Sequence, residues 1–238
     1  MSRDLPTLLE TATSLVPPVN ADGHKFIAAG AAATVLLGLL WGTLGWIAAL
    51  VTVLLVAFFR DPPRVTPLRA GLVTAAADGI VTAVETLAPP MELGLGSDPR
   101  CRIVTRLALT DVHVNRAPVA GRVARSIYVP GAFVSVTSDK ASEDNERRAT
   151  VIEQPSGDEI AVVQIAGMLA RRIVTFVHEG DSVGIGQRLG LIRFGSRVDV
   201  YLPVGATALV AVGQRMVAGE TVLADLVSSE AEREARRT

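Results

Sequence analysis

Residues 26–59 carry no charged side chain. A helix crossing the hydrocarbon layer of a bilayer needs about 20 residues, so this run is too long for one comfortable span and slightly short for two. Its middle, Gly38-Leu39-Leu40-Trp41-Gly42-Thr43-Leu44-Gly45-Trp46, is rich in glycine and holds both tryptophans. The pattern predicts a hydrophobic helical hairpin that bends near Gly42–Gly45, with the tryptophans at a membrane interface. Arg3, Lys25, Arg60, Arg64 and Arg69 flank the run on both sides. Positive-inside logic then puts both ends in the cytoplasm. A secretory signal is not expected, because the apolar run is too long and starts too late. The competing reading is a helical hairpin buried in a soluble core; two helices without a single charge favour the membrane.

The flanks have a different character. Leu5, Leu8, Leu9, Ala12, Leu15 and Val16 recur at helical spacing, which predicts an amphipathic helix over 4–16, stopped by Pro17-Pro18. From residue 60 onward, short β-rich runs alternate with glycine and proline. Gly79–Glu85, Cys101–Leu109, Gly121–Val129, Glu159–Ile165, Arg172–Val177 and Arg197–Leu202 read as strands, and so many short strands argue a mainly β sandwich or barrel. The expected organisation is an N-terminal amphipathic segment (1–25), a membrane hairpin (26–59) and a β-rich domain (60–238). Residues 139–150 form a charge run that reads either as a solvated loop or as part of a site. The tail from Ser228 is charged and predicts a frayed helix.

An internal echo refines the fold. Gly180-Asp181-Ser182-Val183-Gly184-Ile185-Gly186-Gln187-Arg188-Leu189 is loosely repeated by Gly213-Gln214-Arg215-Met216-Val217-Ala218-Gly219-Glu220-Thr221-Val222. The pattern resembles the strand–turn–strand units of biotinyl- and lipoyl-type domains and fits a barrel-sandwich core, as a fold analogy only. The carrier lysine of those domains is absent. The formal charge of −1 gives no field that would attract nucleic acid, and the single cysteine, Cys101, excludes an internal disulfide.

The chemistry concentrates around Phe194-Gly195-Ser196-Arg197-Val198-Asp199-Val200-Tyr201-Leu202-Pro203. Alone, a Gly-Ser pair before an alternating strand is an ordinary turn. Together with Phe58-Phe59-Arg60-Asp61-Pro62-Pro63-Arg64, Ala77-Asp78-Gly79, Asp111-Val112-His113-Val114-Asn115-Arg116-Ala117-Pro118 and Ser142-Glu143-Asp144-Asn145-Glu146-Arg147, it resembles the short bacterial and archaeal phosphatidylserine decarboxylases. The resemblance runs from about Pro17 to Leu226. It implies self-cleavage between Gly195 and Ser196: the Ser196 hydroxyl attacks the Gly195 carbonyl, the acyl group moves from nitrogen to oxygen, and elimination and hydrolysis leave a covalent pyruvoyl group and ammonia. This chain departs from the long-form pattern, which has Leu-Gly-Ser-Thr at the cut and a second histidine where Arg116 stands.

Removing carbon dioxide from an α-amino acid needs an electron sink, and a lysine-bound pyridoxal is the common one. Lys25 and Lys140 are the only lysines, one beside the hairpin and one in the charge run, and neither context fits. The pyruvoyl route is the one the resemblance implies. A serine needs a base, and His113, flanked by Asp111, Asn115 and Arg116, is the candidate, serving later as the acid that reprotonates the carbanion. His178, in the Gly-Asp turn, is the rival base, and His24 adjoins the hairpin. By family likeness Asp78 orients the histidine, completing a Ser-His-Asp set. Asn115 and Arg116 are candidate substrate-binding residues, and Arg60, Arg64 and Arg69 are candidate headgroup contacts. No metal is expected.

The resulting expectation is a pyruvoyl-dependent decarboxylase at the cytoplasmic face of the cell membrane, converting phosphatidylserine to phosphatidylethanolamine. Its partners would be the phospholipid bilayer and its own second cleavage chain, with a higher oligomer left open. Two alternatives stand beside it: a non-enzymatic membrane adaptor with a biotinyl-like domain, which would not be cleaved, and a pyruvoyl decarboxylase for another amino-headgroup lipid.

Overall fold

A computed structural model describes residues 17–131, 145–167, 172–193 and 196–228. The expected helix over 4–16, Lys140, Phe194, Gly195 and the tail beyond Ser228 lie outside the described residues. The chain divides into two compact units, Met1–Pro63 and Arg64–Thr238.

The first unit is an apolar helix pair, α1 (His24–Leu40) and α2 (Gly42–Phe58). Ala21–Leu40 is 20 residues long and apolar enough to cross a membrane; Gly42–Phe58 is apolar but shorter. Leu39, Leu40 and Trp46 are more than four-fifths exposed, which a soluble core would not leave open to water. The chain turns at Trp41, whose backbone is extended (φ −158°, ψ 108°), and not over Gly42–Gly45 as the glycines suggested. Gly45 instead serves the contact between the helices: a Cβ there would lie 2.5 Å from the Gly38 Cα, whereas Gly42 faces open space. Further along, the Thr34 and Thr52 hydroxyls face each other at 3.3 Å. Small and hydroxylated residues at a helix contact are how apolar helices approach closely without a hydrophobic driving force between them.

The second unit is β-rich. Its strands are β1 (Leu72–Thr74), β2 (Gly79–Leu87), β3 (Arg100–Leu107), β4 (Val114–Arg116), β5 (Gly121–Val129), β6 (Arg147–Glu153), β7 (Glu159–Ala166), β8 (Ile173–Thr175), β9 (Ser182–Val183), β10 (Arg188–Ile192), β11 (Ser196–Tyr201), β12 (Arg215–Met216) and β13 (Val222–Asp225). Among the described residues they form an eight-stranded antiparallel sheet in the order β12-β2-β3-β11-β7-β6-β5-β9, a three-stranded sheet β4-β10-β8 and the pair β1-β13. One core cluster joins all three: Val198, Val200, Leu107 and Ala166 from the large sheet meet Leu189, Ile192 and Ile173 from the small one, and Val73 and Leu223 from the pair. Each fully buried aliphatic side chain contributes roughly 1.5–3 kcal/mol.

The internal echo is structural. Val81 N–H donates to Gln214 O (2.9 Å) and Gly213 N–H to Val81 O (2.8 Å); in the other half Val123 N–H donates to Asp181 O and Gly180 N–H to Val123 O, both at 2.8 Å. Gly219 N–H bonds Ala75 O as Gly186 N–H bonds Ala117 O. The β2/β12 and β5/β9 halves are therefore built to one plan, as the sequence repeat implied.

Two local expectations change. The alternation in Arg197–Tyr201 reads as a half-buried strand, yet every residue of β11 is buried. Its polar residues are two apart, share one face, and satisfy each other: Arg197 Nε and Nη2 donate to the two Asp199 carboxylate oxygens at 2.7 and 2.9 Å. The charge run also does not end as a solvated loop, because Arg147–Thr150 belong to β6. Arg147 pairs with Glu92 (2.6 Å) and Arg148 donates to Ser126 (3.0 Å), so charged side chains decorate a ladder.

Candidate active site

Ser196 opens β11 near the middle of the large sheet, with Leu107 of β3 on one side and Ala166 of β7 on the other. Alternation puts its side chain on the core face with Val198 and Val200. It is fully buried, and its Oγ has no hydrogen-bond partner among the described residues. A buried unpaired hydroxyl costs about 1–3 kcal/mol, so its presence calls for a reason.

The chain leaving Leu107 supplies the nearest chemistry. Asp111 N–H donates to Ala108 O (2.9 Å), and its Oδ2 accepts from Ala108 N–H (2.8 Å), closing a tight turn. His113 follows, fully buried, and its carbonyl accepts from Ile192 N–H (3.2 Å), four residues before Ser196. The Leu107–His113 segment is thus tied to the Ser196 region at both ends, through the Leu107 pairing and through Ile192. His113 Nδ1 lies 2.9 Å from Asp111 O. A carbonyl only accepts, so Nδ1 carries the hydrogen and Nε2 is the proton-accepting nitrogen of the neutral ring.

A buried serine and a buried histidine on adjoining segments suit self-processing chemistry, and the relatives decide the family. The phosphatidylserine decarboxylase family profile matches residues 51–224. The chain is 50% identical over 225 residues to the phosphatidylserine decarboxylase proenzyme of Cereibacter sphaeroides, covering 94% of this chain and 97% of that protein. It is 48% identical over 240 residues to the proenzyme of the same name from Nitrobacter winogradskyi, covering 97% of each. The chain belongs to the phosphatidylserine decarboxylase family.

The other residues singled out by the family's motifs are distributed as follows. Asp78 is buried at the turn into β2; its Oδ1 accepts from Ala218 N–H (2.8 Å) and its Oδ2 from Arg64 (2.7 Å). These bonds hold Asp78, while the Nδ1 bond of His113 goes to the Asp111 carbonyl. Arg64 is therefore turned inward, with 11% of its side chain exposed, and is not the free surface cation the headgroup reading required. Arg69 pairs with Asp225, and its hydrogen bond holds that carboxyl below the usual carboxylate range. Arg60 Nη1 donates to Ala57 O (2.6 Å), at the end of α2.

Asn115 is fully buried on β4, and its Oδ1 accepts from Gln164 Nε2 (2.8 Å). Gln164 sits on β7 opposite Val198, one step along the core face from Ser196. Asn115 Nδ2 has no partner among the described residues. Arg116 is also buried, and its Nη1 donates to Gly186 O (3.0 Å). Asn145 donates to Ala166 O (2.8 Å), the residue paired with Ser196, so the Asn-Glu-Arg motif ends at the site. His178 is 80% exposed, 3.8 Å from the exposed Asp181, and His24 is exposed at the start of α1.

Gln164, Arg215, Arg102 and Glu85 lie outside the motifs that carry the resemblance, and the last two complete a charge layer on the opposite face of β11. Arg215 donates to Asp111 Oδ1 from β12. In the charge layer, Asp199 meets Arg197 and Arg102, and Arg102 meets Glu85 at 2.5 Å. Burial pushes the Asp199 carboxyl above the usual range, against the pull of Arg197 and Arg102. Among the described residues no cluster of three metal-binding side chains occurs.

Proposed function

We propose that this chain is a phosphatidylserine decarboxylase made as a proenzyme, which cuts itself between Gly195 and Ser196 and forms phosphatidylethanolamine at a membrane. Membership of the family, with near-full-length relatives called proenzymes, supports the activity and the processing. The observation that carries the reading at residue level is the buried, unpartnered Ser196 Oγ beside the His113 segment.

In the self-cleavage, His113 Nε2 takes the Ser196 Oγ proton as oxygen attacks the Gly195 carbonyl. The Nδ1 bond to Asp111 O keeps the ring in the tautomer this needs. Asp78, hydrogen-bonded to Arg64 and to the Ala218 N–H, is the acidic residue that the family likeness assigns to orienting the histidine. Asn115, its oxygen occupied by Gln164, offers Nδ2 as a donor to a substrate oxygen. Arg116 adds a buried cation on the same strand.

Residue 196 fits a pyruvoyl group: its side chain is enclosed, and its strand is laddered on both edges, so a new terminus there keeps its position. When formed, the pyruvoyl carbonyl supplies the electron sink for decarboxylation. His113 then returns a proton to the product carbon. The two cleavage products stay together as a heterodimer, because β11 remains laddered between β3 and β7. The apolar α1–α2 pair holds the enzyme to the bilayer, with the β-rich unit on the cytoplasmic face.

The test is conversion of phosphatidylserine in detergent micelles by the purified full-length protein, with phosphatidylethanolamine and carbon dioxide measured together. Wild type should form both in equal amounts and Ser196→Ala neither. Failure of the cleaved wild type to act on phosphatidylserine, with activity on another amino-headgroup lipid, overturns the substrate assignment.

A further inference from the structure

Asp111 is the best-anchored residue of the His113 turn, and one of its anchors comes from the far side of the cleavage point. Its carboxylate is 2% exposed. One oxygen takes the Ala108 N–H, its backbone N–H closes the turn, and its carbonyl holds His113 Nδ1. The other oxygen is gripped by the Arg215 guanidinium. Arg215 opens β12, which pairs with β2 at Ile80, two residues past Asp78. Three residues later the same segment gives its Ala218 N–H to Asp78. The internal repeat puts Ser182 at the position equivalent to Arg215, paired with Arg122 in the matching ladder. The charged grip thus belongs to one half only, the half beside the site, and the shared β plan does not require it.

We propose that Arg215 is a positioning residue for His113: by fixing Asp111 it aims the carbonyl that keeps hydrogen on Nδ1 and leaves Nε2 toward Ser196. The inference rests on His113 being the base. It also means that residues 196–238 carry more than the new terminus. After the cut, that chain still holds Asp111 through Arg215 and Asp78 through Ala218.

The test uses full-length protein labelled with ¹⁵N-histidine, comparing wild type, Arg215→Met, Arg215→Lys, Asp111→Ala and His113→Ala. Loss of one histidine signal in His113→Ala assigns the resonance. Wild type should show His113 protonated on Nδ1. Arg215→Met should show a mixed tautomer signal and precursor cleavage slowed on the order of tenfold, part of the roughly 10²–10⁴-fold a positioned base contributes. The cleaved fraction should lose kcat with KM for phosphatidylserine within about twofold, since a positioning loss falls on the proton transfer. Arg215→Lys should recover both signal and rate to within about threefold, because a single N–H of Arg215 makes the contact. Arg215→Met with the wild-type tautomer and rate, beside an inert His113→Ala, overturns the proposal and leaves His113 as the base. A slowed Arg215→Met that melts as low as Asp111→Ala with its tautomer unchanged means a folding role, and also overturns it. His113→Ala cleaving at the wild-type rate would instead remove the reading beneath the proposal.

Discussion

Alanine at Gly79 and at Gly121 separates backbone strain from crowding in the two halves of the β-rich unit. A Cβ on either glycine would lie 2.3 Å from a carbonyl oxygen of the neighbouring strand, Arg106 O for Gly79 and Glu153 O for Gly121. The steric demand is the same, and only Gly79 also has a positive φ, +149°. Crowding of this kind costs about 1–3 kcal/mol. An L-residue forced into that backbone region adds about 1–3 kcal/mol. Central values give roughly 2 kcal/mol for Gly121→Ala by the first term alone, and roughly 4 kcal/mol for Gly79→Ala by both. For a unit of this size, 1 kcal/mol moves the melting temperature by about 2–4 °C. Gly121→Ala should therefore melt roughly 4–8 °C below the parent, and Gly79→Ala roughly 8–16 °C below it. The assay is far-ultraviolet circular dichroism on a Ser196→Ala background, which keeps one covalent chain. Tryptophan fluorescence would be misleading, since Trp41 and Trp46 both lie in the helix pair. Because Gly79 adjoins Asp78, Gly79→Ala in the cleavable protein should also slow processing, with Gly121→Ala staying within about twofold of wild type. Gly121→Ala melting at or below Gly79→Ala would refute the strain term.

Three further outcomes follow from the geometry. His113→Ala should leave mostly uncut precursor, and His178→Ala, whose ring is 80% exposed, should cut at the wild-type rate; the reverse in a side-by-side time course would move the base to the Gly-Asp turn. Gln164→Leu strands the buried Asn115 oxygen and should cost about 1–3 kcal/mol in thermal unfolding, whereas adding Asn115→Leu should recover most of it, since removing both partners is nearly neutral. A double variant melting well below the single one would contradict that. Arg69 holds the folded Asp225 carboxyl below its unfolded value, so its stabilisation is present above the unfolded value, roughly pH 4, and is lost as pH falls through the folded value. The melting difference between wild type and Arg69→Ala should accordingly persist at neutral pH and close on acidification; a difference that widens would reverse the sign.

Much of the strand pattern was legible because glycine and proline punctuate short β-branched runs, and β2, β5 and β7 fall where those runs lie. The repeat was legible because two six-residue glycine spacings recur, and both make the same turns. What periodicity missed was burial. Arg197 and Asp199 look like solvent-facing residues in sequence, but a mutual ion pair lets them lie inside. Trp41 was not readable as the turn, because a glycine cluster signals a bend and a close helix contact alike. At the site, Ser196, His113 and Asn115 stood out through their motifs. Gln164 and Arg215 did not, since a hydrogen bond between residues far apart in the chain leaves no spacing in the sequence. Arg215 had one available signal: it is the charged member of the repeat where its counterpart is Ser182.

The account stands most directly on the covalent state of residue 196. Intact mass of the purified protein, measured under denaturing conditions for wild type and Ser196→Ala, reads it in one experiment. The account predicts two wild-type chains that part between Gly195 and Ser196. The smaller should resist Edman sequencing and take up a carbonyl-reactive hydrazide, and Ser196→Ala should remain whole. A wild-type protein that decarboxylates phosphatidylserine as a single intact chain would contradict it.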